Sequence, residues 1–465
     1  MRVPSWLAGG LAAVALLVVP AHALAHAQLR SAEPAPGSRV AVAPEEVRLV
    51  LSSPVETAFL TLRVTDARGA VVSGAARRDP LNDHVIRAPL NSSGSGPLTV
   101  GWRVLSVDGH PSGGVFGVGV GARGPAAGQG GTVRSDHGPL PVLARLLGLL
   151  APLGLLGLVG MAAAVAAPAV RGRGVRAPGE VPAEGARFRE AATRALAAAA
   201  GGWWRAWWAL VCAGAVGLAL GPVALLRGLR AGPGDLATLL TETRVGAAWW
   251  VQVGCLALAA GAAAALRMRG DGPPQRAGWA LALGAPPAIA LAAVSWSGHA
   301  ATGGDRTANV VIDALHNGAT ALWIGGLLGL TVLVSPAVAA LERGDRVRLA
   351  AGVVVRFSAL ALAAVATLVV TGVYRALAEV SVGDLLDTGY GRALVVKLCL
   401  FAVLVLGGAY NRMVVHPHLE RAALGLDPSD RGAAAALRVS VRAELAGATV
   451  LLVVVAVMIS LPPPG

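Results

Sequence analysis

Asp108 and His110 stand two residues apart in the segment Asp108-Gly109-His110-Pro111. A loop with this spacing can turn both side chains toward one ion. Carboxylate oxygen and imidazole nitrogen suit the tetragonal ligand arrangement that Cu(II) favours. The alternative is an ordinary turn in which the Asp side chain bonds to its own backbone.

A second histidine, His26, lies at the end of an expected export signal. Residues 1–25 have a basic start, an apolar core and a small-residue tail, which is typical of a secretory signal peptide. The tail fits cleavage after Ala23, Ala25 or Ala27, and only cleavage after Ala25 leaves His26 as the first residue. Its amine and imidazole would then complete an equatorial Cu(II) set with the loop. The alternative is that His26 is incidental in an alanine-rich tail.

Polar residues beside long apolar runs form a second group of candidates. His299 closes one run, and Asp313 and His316 begin the next at positions i and i+3, on one helical face. A charge inside a membrane costs on the order of 2.5 kcal/mol or more, so such residues indicate function. We predict that the three form a metal site at the membrane. The alternative is helix capping and solvation at the membrane surface.

Three further candidates follow later in the chain. Lys397 is the only Lys of the protein and lies inside an apolar run. Because the chain uses Arg almost everywhere else, this Lys indicates a need for a smaller ammonium group. The alternative is a side chain that extends its ammonium to the interface. His416 and His418 come after that run and could receive an ion that has crossed. A surface His-Pro-His segment without a role is the alternative.

Short β-strands are expected to position the loop at 108–111. Residues 28–122 alternate apolar runs with turns, and six or seven strands in under 100 residues favour a small β-sandwich. The predicted strands cover residues 47–51, 59–64, 71–72, 84–86, 98–105 and 115–120. The loop directly follows the 98–105 strand.

Long apolar runs dominate the rest of the chain. The protein is 55% hydrophobic and 14% charged, against roughly 25% charged residues in soluble domains. Eight runs come close to the ~20 residues that cross a bilayer. They cover about 140–168, 203–226, 245–266, 277–297, 309–340, 354–377, 391–410 and 437–461. The fifth run is long enough to be tilted or broken.

Arginine between the runs predicts their orientation. Loops 171–202, 267–276 and 341–353 carry clusters of Arg, whereas 378–390 carries no Arg or Lys. Eight spans keep every Arg-rich loop cytoplasmic, as the positive-inside rule requires, and leave the β-region and the C-terminus outside. The Gly-rich segment 121–138 is expected to be a flexible tether.

Several function classes are disfavoured. The net charge of +13 lies mostly between apolar runs and not on one soluble face, which argues against nucleic-acid binding. Cys212, Cys255 and Cys399 each lie alone in an apolar run, without a CxxC motif. No P-loop, GxSxG or phosphorylation motif occurs, so we expect neither an enzyme nor ATP-driven transport by this chain.

Two stretches carry a family resemblance, SAEPAPGSRVAVAPEEVRLVLSSPV and GPLTVGWRVLSVDGHPSGGVFGVGV. They resemble the copper-resistance CopC family. The resemblance implies a Greek-key β-sandwich and a Cu(II) site built from the amine and imidazole of His26 with Asp108 and His110. Some CopC proteins also have a Met-rich Cu(I) site. Because residues 26–122 contain no Met, that second site is not expected.

The later part of the chain resembles the CopD copper-resistance family. The motifs are SGHA, DALHNGATALWIGGL, RFS, TGVY, YGRALVVK and YNR, and they cover about 270–460. Residues 140–270 match by hydropathy alone. The resemblance implies copper movement across the inner membrane, and fused CopC–CopD chains are associated with uptake. The Gly pair within Trp323–Gly326 is expected to let helices pack closely.

The sequence therefore predicts an all-β Ig-like sandwich followed by a polytopic helical membrane domain. Its boundaries are 1–25 signal, 26–122 β-domain, 123–139 linker and 140–465 membrane domain. The expected function is copper binding outside the cytoplasmic membrane and copper uptake across it. The expected partners are copper and the lipid bilayer. Whether the chain forms a homo-oligomer is left open by the sequence. The alternatives are a membrane redox protein that reduces Cu(II) with haem or copper, or a copper-binding or sensing protein without transport.

Overall fold

The structure is a computed structural model. It describes residues 29–91, 95–121, 131–132, 138–171, 182–270, 272, 277–298, 300, 305–381, 383–415 and 430–461. A β-domain (the described part of 29–132) precedes a helical domain (the described part of 138–461).

Two β-sheets face each other in the β-domain. Its strands are β1 Leu29–Glu33, β2 Arg39–Val40, β3 Glu46–Leu51, β4 Val55–Thr65, β5 Arg77–Arg78, β6 Val85–Pro89, β7 Gly96–Ser106, β8 Pro111–Val120 and β9 Gly131–Thr132. One sheet has the order β1-β3-β6-β5. The other has the order β2-β8-β7-β4, with β9 paired to β8. The predicted sandwich is confirmed.

Alternating side chains build the core of the sandwich. In β3, Val47, Leu49 and Leu51 are buried while their neighbours are partly exposed, as a strand with one covered face requires. Trp102 is part of this buried core. Its indole lies so close to Gly114 that a Cβ there would fall 2.7 Å from the indole nitrogen, so this position demands glycine.

The strand assignment needs three corrections. The predicted 71–72 strand is a single bridge between Thr65 and Val71. Three short strands, β1, β2 and β5, were missed because two to five residues with little burial show no clear alternation. The predicted tether contributes β9 to a sheet, so it is not wholly irregular.

The described helical domain contains ten helices, besides a 3-10 turn at Pro233–Asp235 and a π-helical turn at Asn411–Val415 directly after the ninth. They are α1 Pro139–Val170, α2 Pro182–Leu229, α3 Leu236–Glu242, α4 Arg244–Met268, α5 Ala277–Ser297, α6 Arg306–Ala340, α7 Arg343–Glu379, α8 Asp384–Asp387, α9 Gly389–Tyr410 and α10 Asp430–Met458. Eight of them are long and apolar enough to cross a membrane, which confirms the predicted number.

The bounds of two helices correct the sequence analysis. The segment 171–202 is not all loop, because α2 begins at Pro182 and extends for 48 residues, about 72 Å at 1.5 Å per residue. Its first part therefore projects well beyond a hydrocarbon layer about 30 Å thick. The fifth span, α6, is not broken. It is one continuous helix that contains two π-helical segments, Ala321–Gly325 and Leu330–Val334.

Close glycine contacts join α6 to α1. A Cβ at Gly157 would lie 2.3 Å from the carbonyl oxygen of Ala321, and a Cβ at Gly325 would lie 2.6 Å from that of Leu153. The two backbones can therefore meet only because both positions lack a side chain. This confirms the packing role predicted for the Gly pair after Trp323.

The β-domain rests on one end of the helical domain. Arg103 donates to the carbonyl oxygen of Leu229 at the end of α2 (3.3 Å), and Glu56 accepts from the backbone N–H of Arg244 at the start of α4 (2.9 Å). Burial at this contact raises the pKa of the Glu56 carboxyl, against the effect of the Arg244 hydrogen bond. Asp83 pairs with Arg306 at the start of α6 (3.4 Å). The end of α2 and the starts of α4 and α6 thus meet the β-domain.

Candidate metal centre

The metal loop (residues 106–111) is the tight connection between β7 and β8. Gly109 has a φ of +81°, a conformation that favours glycine, and its N–H donates to the carbonyl oxygen of Ser106 (2.9 Å). The hydroxyl of Ser106, fully buried, bonds to the Asp108 carboxylate and accepts from the backbone N–H of His110 (3.2 Å). Ser106 therefore fixes both predicted ligands.

Asp108 and His110 come together as the sequence predicted. Asp108 Oδ1 lies 3.2 Å from His110 Nδ1, and the two side chains are only 6% and 7% exposed. Two cis ligands at about 2 Å from one ion lie roughly 2.8 Å apart, so a small adjustment lets both atoms bind the same ion. An oxygen and a nitrogen donor in this arrangement fit Cu(II).

An arginine that the sequence analysis did not single out meets the other side of the imidazole. Arg145 of α1 places Nη2 2.9 Å from His110 Nε2 and donates from Nη1 to the carbonyl oxygen of Ile459 (2.9 Å). His110 Nε2 lies 3.0 Å from the same carbonyl oxygen. The signal for Arg145 was present in the sequence, since an Arg inside an apolar run is costly and marks function.

A cavity of about 520 Å³ connects the metal loop to the interior of the helical domain. Asp108, Gly109 and His110 line it at the β-domain. Most of its wall is apolar. Its polar lining deeper in the bundle includes Asp313, His316, Asn317, Arg375 and Lys397. Lys397 lies partly buried on α9.

The candidate pair on α6 is arranged differently from the loop. Asp313 is 7% exposed and forms an ion pair with Arg375 of α7. It also accepts from Asn317 Nδ2 (3.1 Å), which in turn bonds to Ser295 of α5 (3.1 Å). The carboxylate is therefore already bonded to Arg375 of α7 and to Asn317 of its own helix. Arg375 was not predicted as a functional residue.

The imidazole of His316 bonds to a neighbouring helix. Its Nδ1 lies 2.9 Å from the hydroxyl of Thr371, and that hydroxyl donates its own proton to the carbonyl oxygen of Thr367 (2.6 Å). Because that hydroxyl has only one proton, Nδ1 is the donor in the bond to Thr371.

Each predicted site is only partly within the described residues. His26, His299, His416 and His418 lie outside them. In the described ranges no group of three or more His, Cys, Asp or Glu side chains is arranged for a metal ion. The loop and α6 each supply one carboxylate and one imidazole, and the third predicted ligand of each site falls on an undescribed residue.

Two family models match the chain. The CopC domain model matches residues 29–121, and the model of copper resistance protein D matches residues 351–458.

Three relatives match larger or smaller parts of the chain. The copper transport protein CutJ of Bacillus subtilis is 25% identical over 427 residues, which covers 85% of this chain and 69% of the relative. Copper resistance protein D of Pseudomonas syringae pv. tomato is 28% identical over 233 residues, 48% of this chain and 71% of the relative. Protein YobA of Escherichia coli K12 is 34% identical over 94 residues, 20% of this chain and 76% of the relative.

Proposed function

The chain belongs to the copper-resistance family as a fusion of a CopC domain and a CopD domain, and from this premise we propose that it carries copper into the cell. The β-domain binds Cu(II) on the outer side of the cytoplasmic membrane. The helical domain then conducts the ion across. Two of the relatives are named for copper transport and copper resistance.

The observation that carries this proposal is the cavity between the two domains. The metal loop forms part of its wall, and the same cavity reaches Asp313 and His316 between the helices. An ion that leaves the loop on this side moves into the bundle and not into bulk water. A binding or sensing protein has no need of such a connection.

Cu(II) binding by the loop is supported by its donors. Asp108 and His110 face each other at 3.2 Å in a site that Ser106 holds in place. We propose His26, with its terminal amine, as the partner that completes the ligand set. The absence of Met from residues 26–122 argues against a thioether Cu(I) site in this domain.

The orientation of the chain is supported by charge. The helix ends that meet the β-domain are opposite to the Arg-rich segments after α1, α4 and α6, which the positive-inside rule assigns to the cytoplasm. The β-domain then lies outside, where an importer must capture its ion.

Cellular copper content at limiting external copper tests the proposal. Cells that express the wild type are compared with cells that express His316→Ala and with cells that carry no copy of the gene. His84→Ala serves as the matched control, because His84 lies in the β-domain away from the cavity and bonds to Leu51 O (3.1 Å). We expect more copper with the wild type and His84→Ala than with His316→Ala.

The other possible results of this experiment each support a different function. Equal copper in all cells indicates binding or sensing without transport. Less copper in wild-type cells than in cells without the gene indicates export. A haem absorbance band in the purified protein, lost in His316→Ala, would favour the redox alternative.

A further inference from the structure

We propose that Arg145 is the residue that releases copper from the β-domain. When the β-domain rests on the helical domain, the Arg145 guanidinium lies against the His110 imidazole, its positive charge opposes the ion, and the displaced ion passes into the cavity. This inference rests on the proposed function, because it assigns a release step to the same metal loop.

Two groups of the helical domain meet the far side of the His110 imidazole. Nη2 of Arg145 lies 2.9 Å from Nε2, and the carbonyl oxygen of Ile459 lies 3.0 Å from the same nitrogen. The opposite nitrogen, Nδ1, faces Asp108 Oδ1 at 3.2 Å, and these are the two atoms proposed to hold the ion. The guanidinium therefore contacts the imidazole across the ring from the ion.

The positive charge of Arg145 opposes a bound copper ion. A guanidinium stays protonated at any physiological pH, so Arg145 cannot become neutral to tolerate a copper ion beside it. An ion bound by Asp108 and His110 would lie within a few ångströms of that positive charge, in a site with little water to screen it. Contact with the helical domain therefore lowers the affinity of the loop for a cation.

The anchor of Arg145 belongs to the helical domain. Nη1 donates to the carbonyl oxygen of Ile459, just after α10, at 2.9 Å. Ile459 and Arg145 are both parts of the bundle, so this bond does not depend on the β-domain. The helical domain alone therefore positions the guanidinium at the surface that the metal loop contacts.

The geometry also gives the displaced ion a direction. The side chains of Asp108 and His110 are 6% and 7% exposed, so the loop is nearly closed to outside solvent. Its open side is the cavity that leads to Asp313 and His316. Loading from outside therefore needs the β-domain to move away from Arg145, and return to this contact unloads it.

Competition titration of the full-length protein in detergent tests the proposal. The Cu(II) dissociation constant is measured against a chelator for the wild type, Arg145→Met and Arg145→Lys. Arg227→Met is the matched control, because Arg227 is exposed near the end of α2 on the same side of the bundle. The thermal unfolding temperature of each variant shows whether it folds.

We expect Arg145→Met to bind Cu(II) on the order of tenfold more tightly, within the usual range of coupling between two sites. Arg145→Lys keeps the positive charge but loses the paired N–H groups of the guanidinium, so its Cu(II) affinity should rise by less. Arg227→Met should match the wild type. In cells, Arg145→Met should lower copper content although it binds the ion more tightly.

Unchanged or weaker binding by Arg145→Met overturns the inference. If that variant does not fold, the same result for Arg145→Lys overturns it. Failure of the proposed function is recognised separately through His110→Ala. If His110→Ala binds Cu(II) as the wild type does, the metal loop is not the site. If it binds weakly while Arg145→Met equals the wild type, only the release step is wrong.

Discussion

The metal loop and the start of α6 use the same residue types in opposite ways. Each has an Asp and a His within three positions of each other, each lies on the same cavity, and each meets an arginine of a neighbouring helix. In the loop the carboxylate faces the imidazole, and the arginine bonds to the imidazole. In α6 the arginine pairs with the carboxylate, and the imidazole bonds to a threonine.

The difference shows that spacing alone does not make a metal site. An Asp and a His on one face bind an ion together only if no cation has already taken the carboxylate. Arg375 takes the carboxylate of Asp313, whereas Arg145 leaves that of Asp108 directed at His110. The loop is therefore the stronger candidate for binding, and α6 for passage.

The largest effect is expected from Asp313→Asn. Loss of this carboxylate leaves the Arg375 guanidinium without its ion-pair partner among the helices, which should lower the free energy of unfolding by about 3 kcal/mol. Thermal unfolding in detergent measures the change. The double variant Asp313→Asn/Arg375→Gln should recover much of the loss. Unaltered unfolding in the single variant would contradict a structural ion pair. A change in Cu(II) affinity would show that the Asp313 carboxylate also acts on the ion, as the carboxylate of the loop is expected to do.

His110→Ala should change the Cu(II) affinity and leave the free energy of unfolding nearly unchanged. It removes a proposed ligand, so Cu(II) affinity should fall at least about 100-fold, since even residues behind the ligands cost roughly 10–100-fold. Chelator competition gives the affinity, and unfolding of the helical domain should change little. His84→Ala is the control within the β-domain. Equal affinity in both variants would remove His110 from the site.

Gly157→Ala probes the helix pair that supports both regions, because α1 carries Arg145 and α6 carries Asp313. The added Cβ would lie 2.3 Å from the carbonyl oxygen of Ala321, and such overpacking costs about 1–3 kcal/mol. Gly148→Ala, on the same helix, has no atom within 4 Å of the new Cβ and should unfold like the wild type. Equal unfolding temperatures for the two variants would argue against the close contact.

The smallest effect is expected from Ser106→Ala. This hydroxyl positions Asp108 and the backbone of His110 but is not itself a predicted ligand. Cu(II) affinity should fall about tenfold, as for other residues that orient ligands. A Ser106→Thr variant keeps the hydroxyl and should lose less. If Ser106→Ala loses as much as His110→Ala, the hydroxyl has a more direct role.

The sequence predicted the loop better than its surroundings. Asp108 and His110 are neighbours in the chain, so their meeting needs only one turn with a Gly at positive φ. Arg145 and Arg375 lie 35 and 62 positions from the groups they contact. Their choice between carboxylate and imidazole depends on how whole helices pack, which no local pattern expresses.

Helix number was predictable, whereas helix length was not. Mean hydropathy detects the apolar centre of a span, so the start of α2 at Pro182 was missed. Its first turns bury Phe188, Ala192 and Leu196 on one face, and this three-to-four-residue spacing was a usable signal. The π-helical segments of α6 left no such signal.

The contact between His110 and Ile459 has a consequence for biosynthesis. The two residues are 349 positions apart, and Ile459 follows the last helix. A ribosome that adds roughly 5–20 residues per second needs about 20–70 s to cover that distance. Throughout this interval the nascent β-domain lacks the carbonyl that anchors Arg145 beside it. If the proposed release step holds, newly made protein passes through a period in which its metal loop can acquire an ion before the groups that release it are in place.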